Sequence, residues 1–234
     1  EISVCDWSSD VCSSDLNARK LDEVSFEEML ELAASGAGVL MSRSVEFGRR
    51  FNVPIHVRSS FNNNPGTWVK EHTMEQAIIS GVAHDRSEAK ITVRHVPDRP
   101  GVAASLFAPL AEEGVNVDMI VQNVSSDGHT DISFTVPKDL TDKARAVTEK
   151  IATELEAGTV DVDEDIGKVS LIGAGMKTHS GVAATVFSAL AKARINLEMI
   201  STSTIRISCV VREEQLDEAV RVLHEAFELE EVPA

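Results

Sequence analysis

The sequence predicts an α+β chain carrying two ferredoxin-like βαββαβ units, the first inserted in the second. Three observations lead there: an internal repeat, the order of elements inside it, and one strand out of place. Gly101–Ile120 reads GVAASLFAPLAEEGVNVDMI and Gly181–Ile200 reads GVAATVFSALAKARINLEMI, with ten of twenty positions identical at a constant offset of 80. A period of that length is a whole small domain, not a solenoid unit. Each repeat reads strand, helix, strand, strand, helix, and the split βαβ pattern needs one further strand. The first repeat has it in Gly158–Val162. The second ends seven residues after its last helix, in an acidic stretch unsuited to a strand. Ala77–Ala83, unassigned and apolar, is expected to complete the second sheet from upstream.

Residues 1–16, EISVCDWSSDVCSSDL, carry Cys5 and Cys12 but neither a basic n-region nor an apolar h-region, so they are no signal peptide. They resemble a translated sequencing-adapter sequence and read as a non-native tail. Val24–Ala34 sets Val24, Phe26, Met29, Leu30, Leu32 and Ala33 among glutamates, an amphipathic helix with Ser25 and Glu28 as a capping box. Ser44–Phe51 reads as a second helix, Val53–Val57 as a strand and Ser59–Gly66 as a loop. One helix pair and one strand cannot bury both faces of anything, so 17–72 reads as the tail of a larger domain.

Within the repeats, alternating apolar residues in Ile91–Val93 and Val169–Leu171 predict half-buried strands. Turns follow at Pro97–Gly101 and Gly173–Gly181. Ala103, Leu106, Phe107 and Leu110, with Ala183, Val186, Phe187 and Leu190, then recur on one helix face. Pro109 stands inside the first of these helices where its repeat partner is Ala189, and is expected to bend or break it. Strands Val115–Val121 and Ile195–Ser201 come next. Ser126–Gly128 marks a hairpin. Returning strands Thr130–Val136 and Thr204–Val211, and helices at 139–154 and 213–227, complete the pattern.

A net charge of −16 repels phosphate backbones, which sets nucleic acid aside. No run approaches the roughly 18 apolar residues of a membrane span. Aromatic residues are 4% and Tyr is absent, which disfavours base-stacking platforms. Beyond the tail the only cysteine is Cys209, read as strand packing. A cysteine-poor chain without a secretion signal fits a reducing cytoplasm.

No P-loop, GxGxxG or HExxH is present, the seven His lack metal-ligand spacing, and no nucleophile–base set can be assembled. No catalytic residue and no metal ligand is assigned. Asn123-Val-Ser125 matches a glycosylation sequon, without meaning in a cytoplasmic protein. Gly173-Ala-Gly175 fits a tight strand-to-helix turn better than a phosphate cradle. The repeats do offer two helix N-termini, each opening on a glycine, Gly101 and Gly181. Glycine lets a ligand approach the backbone, and exposed N–H groups with the helix dipole attract a carboxylate. Asn116 and Asp118, or Asn196 and Glu198, lie across the same corner as acceptors for an ammonium group. Together these describe a free amino acid; equally, the same side chains would serve merely to close a turn.

The repeated Gly-Val-Ala-Ala and Asn-x-Asp/Glu-Met-Ile resemble the paired ACT domains of the aspartate kinase family. So do Val121–Ser125, Thr130–Thr135, Lys168–Met176, Ile200–Ser203 and Ile205–Ser208. Ala18–Leu21, Glu27–Ala33 and Val53–Ser59 resemble the last part of that family's amino-acid-kinase domain. The resemblance implies a C-terminal remnant of an α/β amino-acid-kinase domain at 17–72 and a first ACT domain at 86–164. The second ACT domain would be formed by 74–85 with 165–230. It further implies phosphorylation of the L-aspartate β-carboxylate with MgATP, the first step toward lysine, threonine and methionine, inhibited by lysine or threonine bound to the ACT pair.

The family's Lys-Phe-Gly-Gly-Thr segment and its Asp-Pro-Arg loop are absent here, and Gly36-Ala-Gly-Val-Leu40 stands where Gly-Ala-Lys-Val-Leu is usual. The chain is therefore expected to be the regulatory part, inactive alone, needing no cofactor itself, while MgATP serves the full-length enzyme. Expected partners are lysine, threonine or both, and a second copy through the ACT domains or full-length kinase subunits. Met74 lies where many bacterial members start a second, shorter product. By resemblance the effector sits at a junction between repeats, within or between chains. Its carboxylate meets the backbone of Gly101, Val102 and Ala103 or of Gly181, Val182 and Ala183. Asn116 or Asn196 holds main-chain atoms. Asp98, Asp118, Gln122 and Glu198 face ammonium groups, with Asn123 beside them and Thr202 and Ser203 closing the polar side. The alternative is a standalone ACT-type sensing subunit of another enzyme, for which residues 17–72 would have no use.

Overall fold

The computed structural model describes residues 18–71, 79–123, 127–177 and 179–230. They fall into two compact units: Arg86–Gly167, and the segments up to Asp85 and from Lys168 together.

The second of these units opens with β1 (Glu23–Ser25) and α1 (Phe26–Ala34). Ser25 is the N-cap: its Oγ accepts from Glu28 N at 3.2 Å, and Glu28 Oε2 accepts from Ser25 N at 3.2 Å. The capping box forms, but Val24 precedes the helix in a strand. After α2 (Ser42–Arg50), β2 (Ile55–Val57) and β3 (Thr67–Lys70) follow. β3 runs between β1, parallel to it, and β2, antiparallel to it. Two short strands, β1 and β3, escaped sequence reading, and with them this segment has a core. Val24, Phe26, Met29, Leu32, Val45 and Val69 are buried together with Ala83 and Ile172. The segment holds more than the one strand read from sequence, and its helices share a buried cluster with Ala83 and Ile172 of later strands. Ala83 belongs to β4 (Gly81–Asp85). Of the strand expected at Ala77–Ala83, residues 77 and 78 lie outside the described residues, as do Met74 and the tail at 1–16.

The Arg86–Gly167 unit is complete in sequence order. It comprises β5 (Glu88–Pro97), α3 (Val102–Glu112), β6 (Ile120–Gln122), β7 (His129–Pro137), α4 (Thr141–Glu154) and β8 (Val160–Asp163). Sheet order is β6-β7-β5-β8, all antiparallel, the ferredoxin-like arrangement. Ile91, Val93, Ile132 and Phe134 from the sheet meet Leu106 and Leu110 from α3 and Ile151 from α4 in one core. Phe134 is fully buried, with Phe107 edge-on at 5.3 Å. Pro109 does not break α3, which runs unbroken to Glu112. The proline removes only the donor that would reach the Ser105 carbonyl, and Ser105 is exposed, so that carbonyl need not be left buried without a partner.

β9 (Ile166–Ile172), α5 (Val182–Lys192), β10 (Met199–Thr202), β11 (Arg206–Arg212) and α6 (Leu216–Ala226) repeat the pattern. The sheet order is β10-β11-β9-β4, so β4 takes the place that β8 has in the first repeat. Its register runs Gly81↔Ile172 to Asp85↔Lys168, antiparallel. The first repeat is thus inserted between β4 and the rest of the second. Both strands after the first helices are shorter than expected. In the first repeat the chain leaves α3 through Gly114 at φ 73°, and Val115 N returns to Leu110 O at 2.9 Å. At the matching position Arg194 takes φ 59°, a left-handed conformation that favours glycine. Cys209 is buried and unpaired, and burial pushes its thiol up to about 11, which fits packing rather than chemistry.

Candidate functional site

Both helices α3 and α5 open on a glycine in a left-handed conformation with free space around it. Gly101 and Gly181 take φ 95° and 106°, and a Cβ built on either meets nothing within 4 Å. Their conformation, not crowding, selects glycine, and the space in front stays open. Ser105 N and Thr185 N return to the two glycine carbonyls at 2.9 Å, so the first helical turns are formed.

In the first repeat Asp98 is exposed, and its N–H donates to Gly128 O at 2.8 Å, tying the turn before α3 to the β6–β7 hairpin. Ala103, Asn116, Asp118, Gln122 and Asn123 are exposed, while the Val102 side chain is buried, leaving its backbone. Asp118 N donates to Thr135 O at 3.2 Å, and Asn123 O accepts from Thr130 Oγ1. Beside this corner the His95 and His129 rings stack with centroids 3.7 Å apart. The His95 N–H and then the Arg94 guanidinium hold Asp131 below the ordinary carboxylate range.

In the second repeat Ala183 and Asn196 are exposed and Val182 is half-buried. A hollow of about 460 Å³ opens at Gly181 and Val182, bordered by Arg19, His179, Thr185, Phe227 and Glu228. Arg19 and Phe227 come from elements distant in sequence, and no motif announces them. The Glu198 carboxylate meets Arg212 Nη1 at 3.0 Å. Ser203 closes the β10–β11 turn, its N–H reaching Arg206 O at 2.8 Å and its Oγ accepting from Ile205 N at 3.3 Å. Thr202 is exposed opposite Ile207 in the hairpin. Gly173-Ala-Gly175 enters a single 3₁₀ turn, Ala174–Lys177. Ala174 N donates to Glu28 Oε1 at 3.1 Å, so this N–H serves the fold rather than a phosphate.

The repeats share one further feature. Ile120 and Ile200, equivalent in the two sequences, are 52% and 43% exposed, and each lies on an edge strand, β6 or β10. Among the described residues no three His, Cys, Asp or Glu side chains gather as metal ligands, and no helix is long and apolar enough to cross a membrane.

The ACT-domain family matches residues 90–150 and 169–227, the two repeats just described. An aspartokinase of Mycolicibacterium smegmatis is 56% identical over 219 residues, covering 91% of this chain and 52% of that protein. A crystal structure of aspartokinase alpha and beta subunits matches with 42% identity and a TM-score of 0.61, over 64% of this chain and 99% of that one. The chain belongs to the aspartokinase family, with its pair of ACT domains. It spans about half the length of the curated relatives it matches. E. coli aspartokinase III, solved in complex with lysine and aspartate in its T-state, is 27% identical with a TM-score of 0.74, over 98% of this chain and 50% of that one.

Proposed function

We propose that this chain is the amino-acid-sensing part of an aspartokinase, binding lysine, threonine or both at the N-termini of α3 and α5 for feedback inhibition. The observation that carries the reading is the pair of glycine-led helix starts, left-handed and open in front, repeated with the same Asn and acidic residues across the corner. Helix N–H groups and the positive dipole end receive the carboxylate. At α5, Arg19 borders the hollow as a second anion partner and Glu228 as an ammonium partner. At α3, Asp98 and Asp118 take the ammonium role, and at α5 Glu198, which also meets Arg212, stands at the equivalent place. The relative solved with lysine favours the aspartate-derived amino acids over other ligands.

The exposed edges β6 and β10, each carrying an isoleucine, support pairing with a second copy or with a longer kinase subunit. Edge strands with apolar side chains invite such additions. Residues 17–72 belong, on this reading, to the amino-acid-kinase domain that phosphorylates L-aspartate with MgATP. The hollow of about 390 Å³ beside Gly38 and Arg58–Asn62 does not fit a nucleotide phosphate by itself. The cation in its lining, Arg58, turns Nε to Asn64 O at 3.2 Å, and Gly38 stands where the family carries lysine. Residues 1–234 alone should therefore not form aspartyl phosphate.

Titration calorimetry with L-lysine and L-threonine tests the reading. Saturable heat with either supports it, and loss of that heat in both Asn116→Ala and Asn196→Ala strengthens the site assignment. Absence of heat with both amino acids refutes the sensing role.

A further inference from the structure

We propose that Glu28 is a positioning residue that couples the α5 N-terminus to the kinase-derived segment through helix α1. The inference rests on the sensing role proposed above, and it concerns only the unit that holds α1 and the second repeat.

Glu28 is 1% exposed, and both of its oxygens are engaged. Oε2 accepts from Ser25 N at 3.2 Å and from Ser25 Oγ at 2.6 Å, which is the helix cap. Oε1 turns away from the cap: it accepts from Ser80 Oγ and, at 3.1 Å, from Ala174 N. A buried carboxylate with donors on both oxygens is costly to break and sharply directional. One side chain therefore fixes the start of α1, the approach to β4 and the entry to the β9–α5 loop at once.

That loop leads straight to the candidate site. Ala174–Lys177 forms a 3₁₀ turn, the His179 N–H returns to Gly175 O at 3.2 Å, and Gly181 opens α5. Gly173 N also donates to Ile205 O at 2.9 Å, joining the loop to the β10–β11 turn. One turn along α1, Glu31 Oε2 meets Arg206 Nη1, at the end of that same turn, at 3.1 Å. Two carboxylates three residues apart on α1 thus hold both loops at the candidate-site end of the second repeat. The other end of α1 leads to Gly36, whose backbone lies against the His84 carbonyl, and on to Gly38 and Val39 at the second hollow.

A ligand that draws in the α5 N-terminus shifts Ala174, and Ala174 carries Glu28 with it. Such coupling works to the extent that the ligand interacts differently with two arrangements of the β9–α5 loop, and the Glu28 contacts are the physical link through which α1 would follow that loop. The S-x-x-E cap alone would be satisfied by Oε2. The use of Oε1 on a residue 146 positions away is what the local motif does not require.

Hydrogen exchange on the 234-residue chain, with and without saturating threonine or lysine, provides the test. In the wild type, ligand should protect amides at 181–185 and also at 36–40. In Glu28→Gln and in the milder Ser80→Ala, protection should persist at 181–185 and fall at 36–40, with ligand affinity changed less than about threefold. Equal transmission in both variants, or no wild-type change at 36–40, overturns the proposal. If neither amino acid binds, the sensing reading fails and the tie is judged without ligand. Exchange at Ala174–Lys177 and Phe26–Ala34 rising together by about tenfold in Ser80→Ala supports it. Unchanged exchange there overturns it.

Discussion

Replacing Gly181 by alanine separates a glycine kept for a ligand from one kept for the fold. An added Cβ meets nothing within 4 Å at Gly181, so the penalty is backbone strain at φ 106°. That strain is about 1–2 kcal/mol, less about 0.4–1 kcal/mol recovered because alanine restricts the unfolded chain. The net loss should be about 0.5–1.5 kcal/mol. Gly36 is the internal contrast. It takes φ 112°, and a Cβ there would lie 2.0 Å from the His84 carbonyl oxygen, against backbone that cannot rotate away. Overpacking adds about 1–3 kcal/mol to the same net strain, so Gly36→Ala should lose about 1.5–4.5 kcal/mol. Urea unfolding followed by far-UV circular dichroism reads both variants against the wild type, with a constant slope confirming that stability alone changed. Gly181→Ala should stay near the wild-type midpoint yet bind effector about tenfold more weakly, because its methyl occupies the approach to the helix N–H groups. A Gly181→Ala midpoint as low as that of Gly36→Ala would refute the claim that the space before α5 is open.

Other substitutions follow from the same geometry. Pro109→Ala restores a donor to the Ser105 carbonyl in a helix that is already continuous, so it should stabilise the Arg86–Gly167 unit by about 1–2 kcal/mol; a lower thermal midpoint would show that the proline ring packs usefully. Arg194→Gly relieves the left-handed φ of 59° at the exit of α5 and should gain about 0.5–1 kcal/mol, measured by urea unfolding; a loss would contradict the repeat comparison with Gly114. His224 is buried in α6, and that burial pushes its imidazole below the ordinary range, partly opposed by the Glu230 charge. The folded state holds it neutral while the unfolded state takes the proton first, so its stability contribution is present above about pH 6.5 and is lost as pH falls below that. His224→Leu should flatten the stability profile between about pH 7 and 5; parallel profiles for both proteins would exclude this histidine as a cause.

The repeated unit was legible because ten identical positions at a fixed offset put Leu106 and Leu110 of one helix in register with Val186 and Leu190 of the other, on the same face. The insertion was legible from a missing strand, and β4 does ladder to β9. Strands β1 and β3 were not, because they span three and four residues, too few for alternation to register. Val115–Val117 and Ile195–Leu197 carry a strand-like pattern, yet they follow left-handed helix exits, and the chain first reaches the neighbouring strand where Asp118 N donates to Thr135 O at 3.2 Å and Glu198 N to Val210 O at 2.9 Å. At the site, Gly101, Gly181 and both asparagines announced themselves by repetition. Arg19 and Phe227 did not, since only the tertiary fold brings them to α5. Nor did the second role of Glu28, because the capping box already accounts for that residue locally.

The most direct measurement is an amide chemical-shift map of the isotope-labelled 234-residue chain titrated with L-threonine and, separately, L-lysine. The account predicts that at least one amino acid shifts Gly101–Ala103 with Asn116, or Gly181–Ala183 with Asn196, in a saturable way, while Val24, Val45 and Val69 in the core beneath α1 and α2 shift less. Saturable shifts confined to residues away from both helix N-termini, or no shift with either amino acid, would contradict it.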